Sequence, residues 1–570
     1  MCWFRERPRK ATMLASPYLN PAIRTFSGYQ RIRAPNANEM DESYTVLKCS
    51  KSDITIMDFL KRFTKQSSSP ADDTPDPYAD DDVYPVHVLD DTKIFRSILI
   101  TWTLCFNDVL DADKLQSSLA KLLEKGDWRK LGGRLRLKAD GTLEIHVPRA
   151  FTSSRPAFSY THDSINTSIQ DYELARKLPL SPDGSINISP GPTDFNDLAA
   201  SPSAPATIED LLSGDVPQIS VHITSFTNAT LVGLSWPHTL MDVMGQAAFL
   251  QAWSTLLAGR EAEVPLVLGA REDTLMALTD GATSAAEEYV LKSKQLKGLN
   301  FVKFGARFAW DMLTGPKPVT KTIYLPKSVM GKLRVRAEAD LFTSSNNDDT
   351  MGEKEKPFIS DGDILTAFTL HCIASSLPTP RPLTALHAMN ARFRLPSLIN
   401  ANGVFLSNML IAGFTFLDPA VSTGPLGQIA LHNRQRLLEQ ATEAQVLASL
   451  REQRISGDPS TLLYSDADAL LVPFTDWTKA KFFSAIDFSP AVIRAGGGVG
   501  GNGVESGSDG KRYNPPGTPV FHHASSRRPN PTTRLLVHIL GRDHSEGYWL
   551  TLTMSPGGWE KVEEGLKELS

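Results

Sequence analysis

Residues 229–257 read ATLVGLSWPHTLMDVMGQAAFLQAWSTLL, and the rhythm of the chain changes within them. Up to Trp236 apolar and β-favouring residues run almost unbroken for the length of a buried strand. Beyond Asp242 a helix is expected to begin near Gly245, with Phe249, Leu250, Trp253, Leu256 and Leu257 at core spacing and Gly259 as its stop. His238 and Asp242 therefore sit where a strand hands over to a helix. Histidine is the one side chain whose unperturbed pKa lies near neutrality, so it can take a proton from a hydroxyl and return it in the same turnover. Asp242 can hydrogen-bond locally, or pair with a distant arginine and hold the turn rigid. Spacing alone leaves open that His238 is a satisfied core residue.

Working outward, the same vocabulary occurs on both sides. Before this segment come a strand over Ile94–Phe106, a helix capped by Asp111 with Leu115, Leu119, Leu122 and Leu123 on one face, and RLRLKADGTLEIHV, which alternates about Asp140-Gly141 as a hairpin does. Gln218–Ile223 adds another strand. After it, Ala285–Thr314 reads as helix broken by GPKP, a composition suited to a crossover. There follow a strand (Thr320–Leu325), a helix after Asp361, a strand (Thr384–Met389) and a long helix over Leu426–Leu450. Two alternating strands, RLLVHIL and YWLTLTM, and a closing helix over Glu560–Leu569 complete the pattern. A poorly ordered leader (1–43), a strand and short helix within 44–63 and an acidic loop (68–82) occupy the start. Two α/β domains are expected, over 44–284 and 319–570, joined by a crossover at 285–318. A flexible Gly-rich insertion is expected near 495–518.

A chain of 570 residues is longer than one hydrophobic core supports, which agrees with two domains. Its 41% hydrophobic and 22% charged residues and net charge of -5 describe a globular protein with no basic excess for nucleic acid. No apolar run reaches the roughly 20 residues that span a bilayer. Cys2, Cys49, Cys105 and Cys372 are isolated from one another, which suits a reducing compartment, and MCWFRERPRK is not followed by the apolar segment of a signal peptide. The expected form is a cytoplasmic monomer without metal or tightly bound cofactor. Gly496, Gly498 and Gly501 spell a GxGxxG but lack a flanking strand and helix, and His522-His523 reads as an exposed loop pair. There is no GxSxG, HExxH or P-loop.

The wider text carries a resemblance. SWPHTLMDVMGQAAFLQAW resembles the His-x-x-x-Asp segment of the BAHD acyltransferase superfamily, especially its fungal secondary-metabolite branch. MNARFRLP and LSNM supply Asn390, Arg392, Arg394 and Asn408 in matching order. ISDGDILTAF resembles the helix start of the family's second domain, and TDWTKAKFFSAIDFSPA its Asp-Phe-Gly-Trp-Gly segment, with Ser489-Pro490-Ala491 in place of Gly-Trp-Gly. The resemblance covers about residues 45–570. It implies two related chloramphenicol-acetyltransferase-like α/β sandwich domains with a channel between them, acyl-CoA as co-substrate and a small-molecule acceptor. It assigns His238 as general base toward a hydroxyl or an amine. Asp242, paired with Arg392 or else Arg394, and Asp487 would support the site, with Ser360 and Asn408 lining the CoA side. Carrier-protein-linked condensation or cyclisation on the same fold and a non-catalytic binding homologue are the alternatives.

Overall fold

A computed structural model describes residues 78–179, 184–280, 287–345, 357–496 and 512–569. The leader, the elements expected within 44–63, Cys2, Cys49, Gly498, Gly501 and most of the Gly-rich insertion lie outside the described residues.

Along the chain, strand β1 (Leu99–Phe106) leads to helix α1 (Ala112–Leu123), the hairpin β2 (Arg134–Leu137) and β3 (Leu143–Val147), β4 (Ser159–Ser164) and β5 (Asn187–Pro190). Then come β6 (Ser220–Ser225), β7 (Thr230–Pro237), α2 (Val243–Leu257), α3 (Gly298–Thr314), β8 (Val319–Leu325) and α4 (Lys327–Ser345). The remainder is α5 (Asp361–Ser375), β9 (Leu383–Asn390), β10 (Leu410–Leu417), α6 (Leu426–Gln440), α7 (Glu443–Ser456) and β11 (Leu470–Asp476). It closes with β12 (Phe521–Ser526), β13 (Leu536–Arg542), β14 (Tyr548–Met554) and α8 (Pro556–Lys567).

Apart from the hairpin β2–β3, which pairs with Asp82–Pro85 in a small separate sheet, these strands form two large mixed sheets. The first has the order β12-β1-β7-β6-β4, the second β10-β9-β11-β13-β14-β8-β5. Two strands are exchanged: β12, from the second half of the chain, completes the first sheet by pairing antiparallel with β1, and β5, from the first half, completes the second by pairing with β8. Against the first sheet lie α1 and α2, packed on each other and tied by the Trp253 indole, which donates to the Ser118 hydroxyl at 2.9 Å. The Asp111 carboxylate caps α1 by accepting from the Lys114 amide at 2.9 Å, and its four leucines are buried. Against the second sheet, α5 packs on α4, α6 and α8 around Leu365, Ile429 and Val562.

Several local readings are corrected. Residues Lys93–Arg96 are a single helical turn, because the Thr92 hydroxyl accepts from the Phe95 amide at 3.2 Å, and the strand starts only at Leu99. The long helix expected over Leu426–Leu450 is two, since the Thr442 hydroxyl starts α7 by capping the Gln445 amide at 3.3 Å. The crossover helix begins at Gly298, whose φ of 53° ends the extended backbone before it. Helix α4 has no counterpart in the sequence reading. His522 and His523 are not in a loop: both are buried in β12, where His522 Nδ1 accepts from the Trp102 indole at 3.2 Å.

Candidate active site

Strand β7 delivers His238. Its ladder with β1 runs one rung past Pro237, where the His238 amide donates to the Ile98 carbonyl at 2.9 Å, and the chain then turns as the Leu240 amide donates to the Pro237 carbonyl at 3.0 Å. The imidazole lies flat on the Phe95 ring, with centroids 4.1 Å apart and planes 1° from parallel. The turn at Lys93–Arg96, unforeseen in the sequence, is what brings Phe95 there. Burial lowers the His238 pKa below the ordinary imidazole value; its own carbonyl, the Asp242 carboxylate and the Asn408 amide pull the other way without overcoming it. The ring is thus held neutral at physiological pH, the form that accepts a proton.

Asp242 caps α2. One carboxylate oxygen accepts from the Met244 and Gly245 amides at 3.0 and 2.9 Å. The other accepts from Arg392 Nη1 at 2.6 Å and from the Met409 amide at 3.0 Å. Arg392 in turn donates through Nη2 to the carbonyls of Phe405 and Ser407 at 3.0 and 2.6 Å. Both alternatives open in the sequence are realised by one carboxylate, which caps its own helix and clamps the segment before β10 to it. Gly245 lets that segment approach, since a Cβ there would meet the Leu406 carbonyl oxygen at 2.1 Å.

Asn408 stands behind His238 and not on the cavity wall. Its buried amide donates to the His238 carbonyl at 2.8 Å and to the Asp90 carboxylate at 2.7 Å, and Asp90 also accepts from the Asn408 backbone at 2.6 Å. Burial pushes the Asp90 carboxyl up to about 7. Arg394 does not reach Asp242; it donates to the Asn390 carbonyl at 2.6 Å and faces the cavity. Ser360 caps α5, where its hydroxyl and Asp363 form a reciprocal box, and both line the cavity. Asp487 is exposed, accepts from the Ser489 amide at 2.9 Å and lies off the cavity wall.

The cavity itself, about 1970 Å³, runs between the two sheets. Ile98, His238 and Asp242 line it from the first half, and Ser360, Asn390 and Trp477 from the second. That exceeds the usual volume for one drug-sized ligand, about 300–1,000 Å³, and leaves room for more than one. Two more histidines face it. Burial holds His387 down to about 4 and His538 down to about 3, the latter edge-on to Trp477 at 4.0 Å. Neither is announced by a motif, so the sequence reading passed over both; Phe95 and Asp90 carry no signal at all.

No family model matches the chain. It is 36% identical over 497 residues to the O-acetyltransferase PaAT-2 of Phomopsis amygdali, covering 86% of this chain and 98% of that one. To the acetyltransferase BOT5 of Botryotinia fuckeliana it is 34% identical over 504 residues, covering 86% and 91%. Among solved structures, TRI101 of F. sporotrichioides, complexed with coenzyme A and T-2, superposes with a TM-score of 0.55 over 85% of this chain and 97% of the other, at 13% identity. Two related α/β sandwiches flanking a channel define the chloramphenicol-acetyltransferase-like fold class. The chain belongs to the BAHD-type acyl-CoA-dependent acyltransferases, in the branch that serves fungal secondary metabolism.

Proposed function

We propose that the protein transfers an acyl group, acetyl in the first instance, from acyl-CoA to a hydroxyl of a small-molecule acceptor, with His238 as general base. The observation that carries this is the His238 imidazole stacked on Phe95 at the wall of a cavity large enough for donor and acceptor. Nδ1 of the ring is buried and meets no hydrogen-bond partner among the described residues, so we take Nε2 as the nitrogen that meets the substrates. In the reaction Nε2 takes the hydroxyl proton as the oxygen attacks the thioester carbonyl. The tetrahedral intermediate collapses, the C–S bond breaks, and the departing thiolate takes the proton back from the imidazolium. No covalent enzyme intermediate is required. Asp242 and Arg392 act through architecture: they fix the N-terminus of α2 and the segment that carries Asn408. The names of two relatives support acetyl as donor group, and one of them supports oxygen as acceptor. We take the working unit to be a monomer, because the two halves of a single chain together line the cavity around His238.

The test is mass-spectrometric detection of product with a panel of acyl-CoAs against alcohols and matched amines. His238→Ala should lower kcat by about 10²- to 10⁴-fold, the range of a positioned base, and leave the fold and the CoA dissociation constant unchanged. A folded alanine variant turning over within about threefold of wild type, well short of that range, would refute the assignment.

A further inference from the structure

Helix α3 has the composition of a core element and the exposure of a surface one. Its sequence, GLNFVKFGARFAWDMLT, carries eight large apolar or aromatic side chains, yet none of its residues is buried. At 100° per residue the apolar side chains fill one broad arc, with Asn300, Lys303, Arg307 and Asp311 on the remaining side. Phe301, Phe304 and Phe308 lie toward one edge of the arc and line the cavity, as does Trp310 at the other edge. Leu299, Val302 and Leu313 lie between them, off the cavity wall, with 87%, 64% and 84% of their surfaces open. Large apolar side chains gathered on one exposed face mark a surface made to be covered.

Charge indicates what covers it. Residues 297–317 carry Lys297, Lys303, Arg307 and Lys317 against the single carboxylate of Asp311, a local excess of three positive charges in a chain whose net charge is -5. Asp311 is already paired with Arg307 and Arg381. Among the described residues no ion pair engages Lys297, Lys303 or Lys317. Arg534, whose guanidinium donates to the Pro316 carbonyl, adds a further cation beside the end of the helix. A helix with an outward apolar face and lysines at its margins is the arrangement that lies in the interface of a bilayer, apolar side chains among the acyl chains and cations at anionic headgroups. A hydrophobic protein partner would account for the leucines and leave the lysines unexplained.

We propose that the outward face of α3 is a docking site for an anionic phospholipid surface, holding the protein at the membrane without spanning it. Among the described residues no helix is long and apolar enough to cross a bilayer. Because the inward face of the same helix lines the cavity, docking sets the cavity wall against the bilayer. Lipophilic acceptors dissolved there would then have a short route to it. This inference stands apart from the assignment of His238, since it is read from binding and not from turnover.

The experiment is co-sedimentation of the full chain with vesicles of phosphatidylcholine alone and with about 30 mol% phosphatidylserine added. Wild type should sediment with the anionic vesicles and be released by salt at about 0.5 M. The triple substitution Leu299→Glu, Val302→Glu, Leu313→Glu should lower partitioning at least about tenfold, and so should Lys297→Gln, Lys303→Gln, Lys317→Gln. None of these side chains lines the cavity, so circular dichroism and turnover of a water-soluble acceptor should match wild type in both. Three outcomes would overturn the proposal: wild type left in the supernatant with anionic vesicles, a glutamate variant that sediments as wild type does, or a self-associated wild type that the glutamates disperse without any vesicle binding.

Discussion

Asp242→Asn isolates the contact that joins the two halves at the site. Asparagine keeps an oxygen that can accept from the Met244 and Gly245 amides, so the cap on α2 survives. Its amide nitrogen, however, would face Arg392 Nη1 and the Met409 amide, two donors that the carboxylate accepts at 2.6 and 3.0 Å. The Asp242 side chain is fully buried and that of Arg392 only 10% exposed, so the stranded guanidinium finds little water. Breaking a buried pair from one side costs about 3 to 5 kcal/mol. At about 2 to 4 °C per kcal/mol in domains of ordinary size, the melting temperature should fall by about 6 °C or more. A double-mutant cycle with Arg392→Met, read by thermal and urea denaturation, should show that the paired variant loses clearly less than the two single losses combined. The Asp242 charge raises the His238 pKa, so in the folded variant the acid limb of the pH–rate profile should move to lower pH. An asparagine variant within about 1 kcal/mol of wild type, or a cycle with no coupling, would refute the clamp. An acid limb displaced to higher pH would contradict the electrostatics.

Three further outcomes are expected. Asn408→Ala cuts the tie between the His238 carbonyl and Asp90, and should lower single-turnover rates by about 10- to 100-fold through misplacement of the base, with CoA calorimetry unchanged. Gly245→Ala should destabilise by about 1 to 3 kcal/mol in urea titration, because its Cβ would meet a backbone oxygen at 2.1 Å and one chain must yield. Acid should unfold the protein early. Burial lowers the pKa of nine histidines, among them His387, His522, His523 and His538, so below pH 6.5 the unfolded chain binds protons that the folded chain does not. Stability therefore drops as pH falls through that value. Asp90, Asp476 and Asp543, whose carboxyls burial raises, act in the opposite sense but are outnumbered. A melting temperature flat or rising from pH 6.5 to 5 would contradict this.

What the sequence made legible was whatever depends on neighbours along the chain. The junction after Trp236, the cap at Asp111 and the hairpin about Asp140-Gly141 each rest on a local rule, and the structure has each in place. The Arg392 side chain lies 150 residues from the carboxylate it meets, and the resemblance, not spacing, named it as first candidate. His522 was misread because its satisfaction comes from Trp102, 420 residues away, and a histidine without a visible partner looks like a surface one. Helix α4 places Val329, Met330, Leu333, Ala337 and Leu341 inward at helical intervals, but charged residues and Gly331 interleave them and hide the stripe. The Asn408–Asp90 support of His238 spans 318 residues and has no sequence signature.

The exchange of β5 and β12 bears on how the chain is made. Residue 521 is 415 positions past residue 106, so at about 5 to 20 residues per second the ribosome takes roughly 20 to 80 s to supply the neighbour of β1 after β1 has emerged. Through that interval the nascent first half carries an open edge containing Trp102, Leu104 and Phe106, a template on which a second nascent chain can add. Yield in a foreign host should therefore depend on chaperone supply and growth temperature more than on the stability of the finished protein. Cutting the gene between the halves would leave each fragment one strand short.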